Sequence, residues 1–246
     1  MDRLIYTAMS GANASAQRQA LLSNNLANAS TNGFRAEMAT FRAVPLQGDG
    51  ASTRVFSVEA SAGYLDRPGS VQRPGRNLDA MARDNAWCAV QGLAGTEAYT
   101  RNGAMDVATD GTIVNSNGLP VLSDGGAPLV APAGAELSLG NDGIVSAKQA
   151  GQPPTALGRL KLVRPTAETP LQRGADGLFR ASNKEPLDTD PLARLEPGAL
   201  EGSNVNPVET MVGMIQVARQ FEAQMRLLQS AEANDKAASQ LLGSHG

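Results

Sequence analysis

Two segments at opposite ends of the chain place small and apolar residues at alternating steps of three and four. This spacing predicts two helices, each with a seam that packs against another helix. The first runs from about residue 2 to 29 and the second from about 208 to 242. Because few charged residues accompany the first seam, we expect that helix to be covered on several sides.

The seams supply the residues that we expect at contacts between subunits. Pairing of the two helices within one chain would also satisfy them, and the sequence leaves both arrangements open. The methionines of the second seam favour contacts beyond one partner, because methionine adapts to irregular surfaces. The predicted contact residues are Ile5, Ala8, Ala12, Leu22, Asn25, Leu26, Asn28, Met211, Met214, Ala218, Phe221, Met225 and Leu228.

The long middle of the chain has a different texture. It holds most of the 26 glycines and 14 prolines, and turn dipeptides recur between short apolar runs. Such dipeptides predict β-hairpins, because their residues tolerate positive φ. The fold class is therefore predicted to be α+β, with a central antiparallel β-rich domain. The turn signals are Asp110-Gly111, Asn117-Gly118, Asn141-Asp142-Gly143 and Asp176-Gly177.

Four parts follow from these patterns: a helix over 1–32, an extended connector with short strands over 33–74, a β-rich domain over 75–201 and a helix over 202–246. Asn32-Gly33 is a helix-ending signal, and Asn206-Pro207 is a helix-starting one. Within the middle, Arg54–Val58 is predicted to be a short strand and Arg159–Leu162 a half-buried strand. The two terminal helices are expected to form one coiled-coil layer.

Composition excludes several functions. The net charge of −3 gives no basic surplus for nucleic acid, and no apolar stretch is long enough for membrane insertion. The chain begins without the pattern of a cleaved signal peptide. It has one cysteine, Cys88, and its one histidine, His245, is next to last. These counts remove histidine-based triads, Cys–His dyads and most zinc sites, so an enzyme would have to work with carboxylates, lysine, serine or tyrosine. We expect no catalytic residues, no metal and no cofactors.

Acidic residues in glycine-rich loops raise the question of calcium. Asp106, Asp110, Asp124 and Asp142 lack the regular ligand spacing of a calcium loop, so we expect them to shape turns. Cys88 lies beside Trp87 in a strand-like run and is predicted to be a small core residue.

Several motifs, in order along the chain, carry a family resemblance. The run Ser23–Phe34 resembles the N-terminal signature of bacterial flagellar axial proteins, which form the rod, the hook and the hook–filament junction. The run Glu201–Glu209, with Gln220–Ala223, is similar to the matching C-terminal signature. Pro74–Asp79 and Gly95–Gly103 are similar to the β domain of rod and hook proteins.

One segment departs from that family's pattern. Where most relatives have a Gly-Asp-Gly turn followed by aromatics, this chain has Arg83–Cys88. Asn85 is expected to supply the left-handed turn residue, and Trp87 keeps one aromatic.

The resemblance implies a structural subunit of the flagellar basal-body rod, most like the proximal rod type, with the distal rod type as the alternative. It implies export through the flagellar type III apparatus without a cleaved signal peptide. It also implies a periplasmic position in the rod and partners that are copies of the chain and other rod subunits. The terminal helices of such proteins are thought to fold on assembly into an inner tube, so that the rod transmits torque.

Two other classes remain as alternatives. A rod-associated peptidoglycan hydrolase would need two carboxylates about 5–10 Å apart, and Glu97 with Asp106 is the example that we consider. An independent coiled-coil adhesin or secreted fibre is the third reading.

Overall fold

The computed structural model describes residues 2–45 and 55–243. Helix α1 covers Asp2–Ala27, and helix α2 covers Pro207–Gly243. The segment between them is rich in strands, so the predicted α+β class is confirmed. No helix among the described residues is long and apolar enough to cross a membrane.

The strands are short outside the first pair. In chain order they are β1 Glu37–Pro45, β2 Val55–Tyr64, β3 Val71–Gln72, β4 Ala80–Ala82, β5 Trp87–Gln91, β6 Glu97–Thr100, β7 Met105–Val107, β8 Ile113–Asn115, β9 Glu136–Leu139, β10 Ile144–Lys148, β11 Thr155–Arg159, β12 Leu162–Val163, β13 Leu171–Arg173, β14 Phe179–Ala181, β15 Leu195–Pro197 and β16 Leu200–Glu201.

The chain divides into two compact units. The helical unit consists of Met1–Ala29, Ala36–Leu65 and Val205–Gly246. The β unit consists of Ser30–Arg35 and Asp66–Asn204. Each unit is therefore assembled from segments that are distant in sequence.

In the helical unit, α1 and α2 pack against each other in antiparallel orientation. Gly11 of α1 faces Gln224 of α2, and Leu22 faces Gly213. Moving forward along one helix thus means moving backward along the other. Of the two arrangements that the sequence left open, pairing within one chain is present in the structure.

The helix boundaries follow the sequence signals at one end only. Asn206 Oδ1 accepts hydrogen bonds from the backbone N–H groups of Val208 (3.1 Å) and Glu209 (3.3 Å), so the predicted N-cap of α2 is confirmed. Helix α1 instead ends at Ala27, earlier than the Asn32-Gly33 signal predicts. Gly33 does have a left-handed φ of 70°, but it lies in the β unit, where it packs closely against the backbone of Arg101.

The connector contains longer strands than expected. Strands β1 and β2 form an antiparallel hairpin in which Glu37 pairs with Tyr64, with a register shift between Thr40 and Phe41. Of the short strand predicted at Arg54–Val58, residue 54 lies outside the described residues, and the rest is the start of the ten-residue β2. Each strand is longer than predicted because the two strands hydrogen-bond to each other along their whole length.

The β unit is built from small antiparallel sheets. The largest has the order β12-β5-β6-β14-β13, and a second has the order β11-β10-β9. Three further pairs are β15-β4, β16-β3 and β7-β8. The predicted central antiparallel region is confirmed, and the glycines of all four predicted turns have positive φ: Gly111, Gly118, Gly143 and Gly177.

Two local predictions in the β unit are wrong. The left-handed residue of the Arg83–Cys88 turn is Asp84, with φ 48°, and not Asn85. The run Arg159–Leu162 is not a half-buried strand, because Leu160, Lys161 and Leu162 are all buried. Lys161 is accommodated there by an ion pair of 2.8 Å with Glu97, which alternation of residue types does not reveal.

Candidate assembly surface and buried ionic cluster

The predicted contact residues of α1 lie largely on its covered face. Ala8, Ala12 and Asn25 are buried, and Leu22 and Leu26 are half-buried. Asn28, also half-buried, lies just beyond the end of α1. The side chain of Ile5 lies outside the described residues. The seam that the spacing predicts is therefore the face of α1 that is covered within the helical unit.

The predicted contact residues of α2 behave differently. Met214 and Leu228 are half-buried, whereas Met211, Ala218, Phe221 and Met225 are exposed. Buried or half-buried positions instead recur every seven residues one position earlier along the chain: Thr210, Val217, Gln224 and Ala231. The covered face of α2 is thus turned by one residue, about 100°, from part of the predicted seam.

Two glycines show why the smaller residues face the partner helix. A Cβ on Gly11 would lie 3.1 Å from Cδ of Gln224, and a Cβ on Gly213 would lie 3.3 Å from Cδ1 of Leu22. Each helix therefore offers a glycine slot that a long side chain of the other helix fills. Such slots let the backbones approach closely, and the bulkier methionines of α2 are left at the side of the contact.

An apolar stripe remains uncovered on α2. It consists of Met211, Ile215, Ala218, Phe221 and Met225, and we call it the exposed stripe. The exposed fractions are 47% for Met211, 55% for Ile215, 40% for Phe221 and 39% for Met225. These residues recur at helical spacing, so they form one continuous face and not scattered positions.

Two polar side chains of α1 hold the β1–β2 hairpin. The Asn25 amide donates to the Glu37 carbonyl (2.9 Å) and accepts from the Glu37 N–H (2.8 Å). The Ser10 hydroxyl does the same with the backbone of Ser57, at 3.1 and 3.0 Å. Asn25, which the sequence placed at a contact between packed helices, thus binds a strand of its own chain.

The β unit contains a buried ionic cluster of Arg35, Arg101 and Glu201. The Glu201 side chain is 0% exposed, and the side chains of Arg35 and Arg101 are 3% and 5% exposed. Arg35 Nη1 donates to Glu201 Oε1, while Arg101 donates to Oε2 through Nε at 2.8 Å. The backbone N–H of Gly69 also donates to Oε1, at 3.1 Å. One carboxylate therefore binds two cations and a backbone amide.

Trp87, the single tryptophan of the chain, packs on this cluster. The guanidinium carbons of Arg101 and Arg35 lie 5.8 and 6.0 Å from its ring centroid, within the range of cation–π attraction. Phe179 packs on Trp87 at a centroid distance of 4.6 Å. The cluster is thus enclosed by aromatic and backbone groups, which strengthens its ion pairs by excluding water.

The reasoning from sequence missed this cluster. Two of its charged residues lie in motifs, Arg101 in a middle one and Glu201 at the start of the C-terminal one, and Arg35 directly follows the N-terminal one. That co-occurrence is the only signal the sequence offered. Gly33 of the first motif is required for the same packing, since a Cβ there would lie 2.3 Å from the carbonyl carbon of Arg101.

The two carboxylates considered for hydrolysis are held in ion pairs. Glu97 bonds Lys161 at 2.8 Å and accepts a hydrogen bond of 2.8 Å from the Tyr99 hydroxyl. Asp106 pairs with Arg76 Nη2 at 3.1 Å. Burial raises the pKa of Tyr99 above its ordinary value of 10.0, so this phenol stays protonated at neutral pH. These contacts lie within the β unit and give both carboxylates a structural role.

Two of the other loop aspartates, Asp110 and Asp142, shape turns, as the sequence predicts. Asp110 and Asp142 each accept a hydrogen bond from the N–H two residues ahead, at 2.9 and 3.1 Å. Over residues 2–45 and 55–243, no group of three acidic, cysteine or histidine side chains is arranged to hold a metal ion. Cys88 is buried, and burial raises the pKa of its thiol to about 11.

The ion pairs and turns serve packing, and α2 exposes an apolar stripe, a combination typical of a structural protein that associates with other subunits. Three segments match known families. Residues 5–35 match "Flagella basal body rod protein", residues 83–147 match "Flagellar hook protein FlgE/F/G D1 domain", and residues 196–241 match "Flagellar basal body rod FlgEFG protein C-terminal".

Curated relatives match along nearly the whole chain. The flagellar basal-body rod proteins FlgF of Salmonella typhimurium and Escherichia coli are each 42% identical, over 98% of this chain and 99% of theirs. The rod protein FlgG of Buchnera aphidicola is 28% identical, over 96% of this chain and 98% of its own. The chain belongs to the flagellar basal-body rod protein family and is most like its FlgF members. It is a structural protein of the flagellar basal body and not an enzyme, so the hydrolase alternative is excluded.

Proposed function

We propose that this chain is a subunit of the proximal rod, assembling helically with copies of itself and with other rod subunits. The tube that they form is the drive shaft that transmits torque from the motor to the hook. The higher identity to FlgF than to FlgG proteins supports the proximal type over the distal alternative.

The exposed stripe of α2 is the observation that carries the assembly proposal. One face of α2 is already covered by α1, yet a second apolar face remains in water. Full burial of an exposed apolar side chain contributes about 1.5–3 kcal/mol. Ile215 and Phe221 are still 55% and 40% exposed, so a helix of a neighbouring subunit would gain about half of this for each by covering them. We propose that α1 and α2 of successive subunits pack in this way as an inner coiled-coil layer.

In the proposed contact, the stripe of one subunit meets a different patch of the next subunit. A repeated contact between unlike patches gives an open helical array, as a tube requires, and not a closed pair. The thirteen predicted contact residues keep this role as a proposal. Of those near the N-terminus, Ala8, Ala12 and Leu22 also lie on the face that is covered within the chain, and the exposed ones of α2 are available to meet a neighbour.

The proposal includes delivery through the flagellar type III export apparatus without a cleaved signal peptide, and a periplasmic position. A chain with one cysteine forms no internal disulfide, which suits an unfolded passage. The terminal helices then gain the rest of their stability from neighbours. In a verified monomer, amides at residues 2–30 and 207–243 should exchange faster than those of β5 and β6. Equal protection of these helices and strands in the monomer would contradict folding on assembly.

The test of the stripe is Phe221→Asp and Met225→Asp, made separately in the full chain. Each places a charge on an exposed position, so the chain should fold, and rods should be incomplete in basal bodies viewed by electron microscopy. The matched control is Gln216→Asp, an exposed position of the same helix outside the stripe. Complete rods and normal swimming with both stripe variants would refute the proposed contact.

A further inference from the structure

The buried ionic cluster joins segments that are far apart in sequence. Glu201 lies 166 residues after Arg35 and 100 residues after Arg101, and it binds both. We propose that Glu201 closes the β unit: docking of residues 200–204 fixes residues 30–35 in place, and without the Glu201 charge these two segments detach.

The charge balance of the cluster is the first argument. Two guanidinium groups and one carboxylate are almost entirely shielded from water. The other acidic group near Arg35, Asp66, is 3.9 Å away and half-exposed. Removing one member of a buried ion pair leaves an uncompensated charge, which is strongly destabilising. Before Glu201 docks, Arg35 and Arg101 are therefore held in water and their segments cannot close.

The backbone around Glu201 is the second argument. The Gly33 N–H donates to the Glu201 carbonyl at 2.7 Å, and the Asn204 N–H donates to the Phe34 carbonyl at 3.2 Å. On its other side, the Gly202 N–H donates to the Ser70 carbonyl at 2.7 Å. The short segment 201–204 thus connects to residues 33–34 and to residue 70, which share no backbone bond of this kind with each other.

The order of the chain gives this closure a consequence. When the chain is synthesised or exported with its N-terminus first, Arg35 and Arg101 emerge long before Glu201. The β unit is then completed only when the segment that leads into α2 has arrived. Closure also brings together, within the β unit, the points at which the chain leaves for α1 and for α2, because residues 33–34 and 201–204 are bonded directly.

The experiment compares full-length wild type with Glu201→Gln, which keeps the shape and removes the charge. Hydrogen exchange should accelerate at least about tenfold at Gly33, Gly69 and Gly202, while amides of β5 and β6 keep their protection. Fluorescence of Trp87 should shift toward that of exposed tryptophan. The matched control is Glu196→Gln, whose partner Arg73 is exposed, and it should change neither signal.

A milder variant keeps the test decisive if Glu201→Gln fails to fold. Arg101→Lys retains the cation but loses the guanidinium that reaches Glu201 Oε2 and the Ala86 carbonyl, so it should open the same amides less strongly. Unchanged exchange at Gly33 and Gly202 in the folded variants would overturn the proposal. Equal acceleration across β5, β6 and these amides in Arg101→Lys would overturn it too, since the effect would then be general.

Discussion

Leu22 of α1 lies against Gly213 of α2, so closely that a Cβ on Gly213 would come within 3.3 Å of Leu22 Cδ1. In the sequence, Gly213 interrupts a run of good helix-forming residues and weakens the helix by about 1 kcal/mol relative to alanine. In the structure, it is one of two slots through which the paired helices approach each other. The cost in helix propensity is therefore offset by packing.

A large side chain at this slot should separate the helices. We expect Gly213→Leu to lower the free energy of unfolding of the helical unit by up to about 2 kcal/mol, because overpacking costs about 1–3 kcal/mol and the gain in helix propensity returns only about 1 kcal/mol. Thermal unfolding followed by circular dichroism at ~222 nm measures this loss of stability. The control is Ala233→Leu, an exposed position of the same helix. Equal melting of the two variants would show that Gly213 is not at a tight contact.

Loss of the Asn25 amide should release the start of the β1–β2 hairpin. Asn25→Ala removes both hydrogen bonds to Glu37, each worth about 0.5–1.5 kcal/mol. Hydrogen exchange should rise at Glu37, whose N–H loses its acceptor. Asn24→Ala, at an exposed neighbouring position, should leave that amide unchanged. If Glu37 keeps its protection in Asn25→Ala, the hairpin does not depend on this contact.

The buried thiol should make the protein less stable in alkali. Burial raises the pKa of Cys88 from 9.0 to about 11, so between these values the unfolded chain ionises and the folded one does not. Unfolding then releases protons, and the free energy of unfolding falls as pH rises from 9 to 11, by up to about 2–3 kcal/mol. The stabilisation is fully present below pH 9.

Denaturant unfolding of wild type and Cys88→Ala at about pH 8 and about pH 10.5 isolates the contribution of the Cys88 thiol to stability. The raised pKa of Tyr99 acts in the same direction in both proteins and cancels in the comparison. Wild type should lose more stability than the variant between the two pH values. A parallel loss would mean that Cys88 ionises as readily in the folded protein as in the unfolded one.

Asp79 should be a destabilising charge. Its side chain is buried, and among the described residues neither carboxylate oxygen accepts a hydrogen bond. Arg76 Nη1 is 4.0 Å away, which compensates only in part. Burial raises the pKa of Asp79, with Arg76 opposing and Asp106 adding to the rise. Stability should therefore decrease as pH rises above the ordinary value of 3.8, where the unfolded chain ionises first.

Replacing Asp79 by asparagine removes that charge and should raise the midpoint of denaturant unfolding at pH 7. The control is Asp124→Asn, at an exposed carboxylate of the β unit that is not among the charges acting on Asp79. A lower midpoint for Asp79→Asn than for wild type would show that the ionised form makes a stabilising contact.

Local signals in the sequence determined much of the local structure, although the end of α1 and the left-handed residue at Asp84 escaped them. The Asn206 cap, the four glycine turns and the covered face of α1 all follow from interactions within a few residues, which a linear pattern records. The α+β class and the family follow in the same way, because periodicity and motifs are properties of the chain itself. The α2 seam was predicted only to within about one residue, since its spacing does not say which of two adjacent apolar stripes meets α1.

Only the tertiary structure decided the contacts between distant residues. Pairing of α1 with α2 in one chain, the slot at Gly213 and the bonds of Glu201 to Arg35 and Arg101 join positions that are far apart in sequence: 213 residues for Gly11 and Gln224, and 166 for Arg35 and Glu201. Such pairings depend on how the chain returns to itself, and charge or size at one position does not name its partner. Lys161 illustrates this point, because its charge predicts exposure until Glu97 is brought against it.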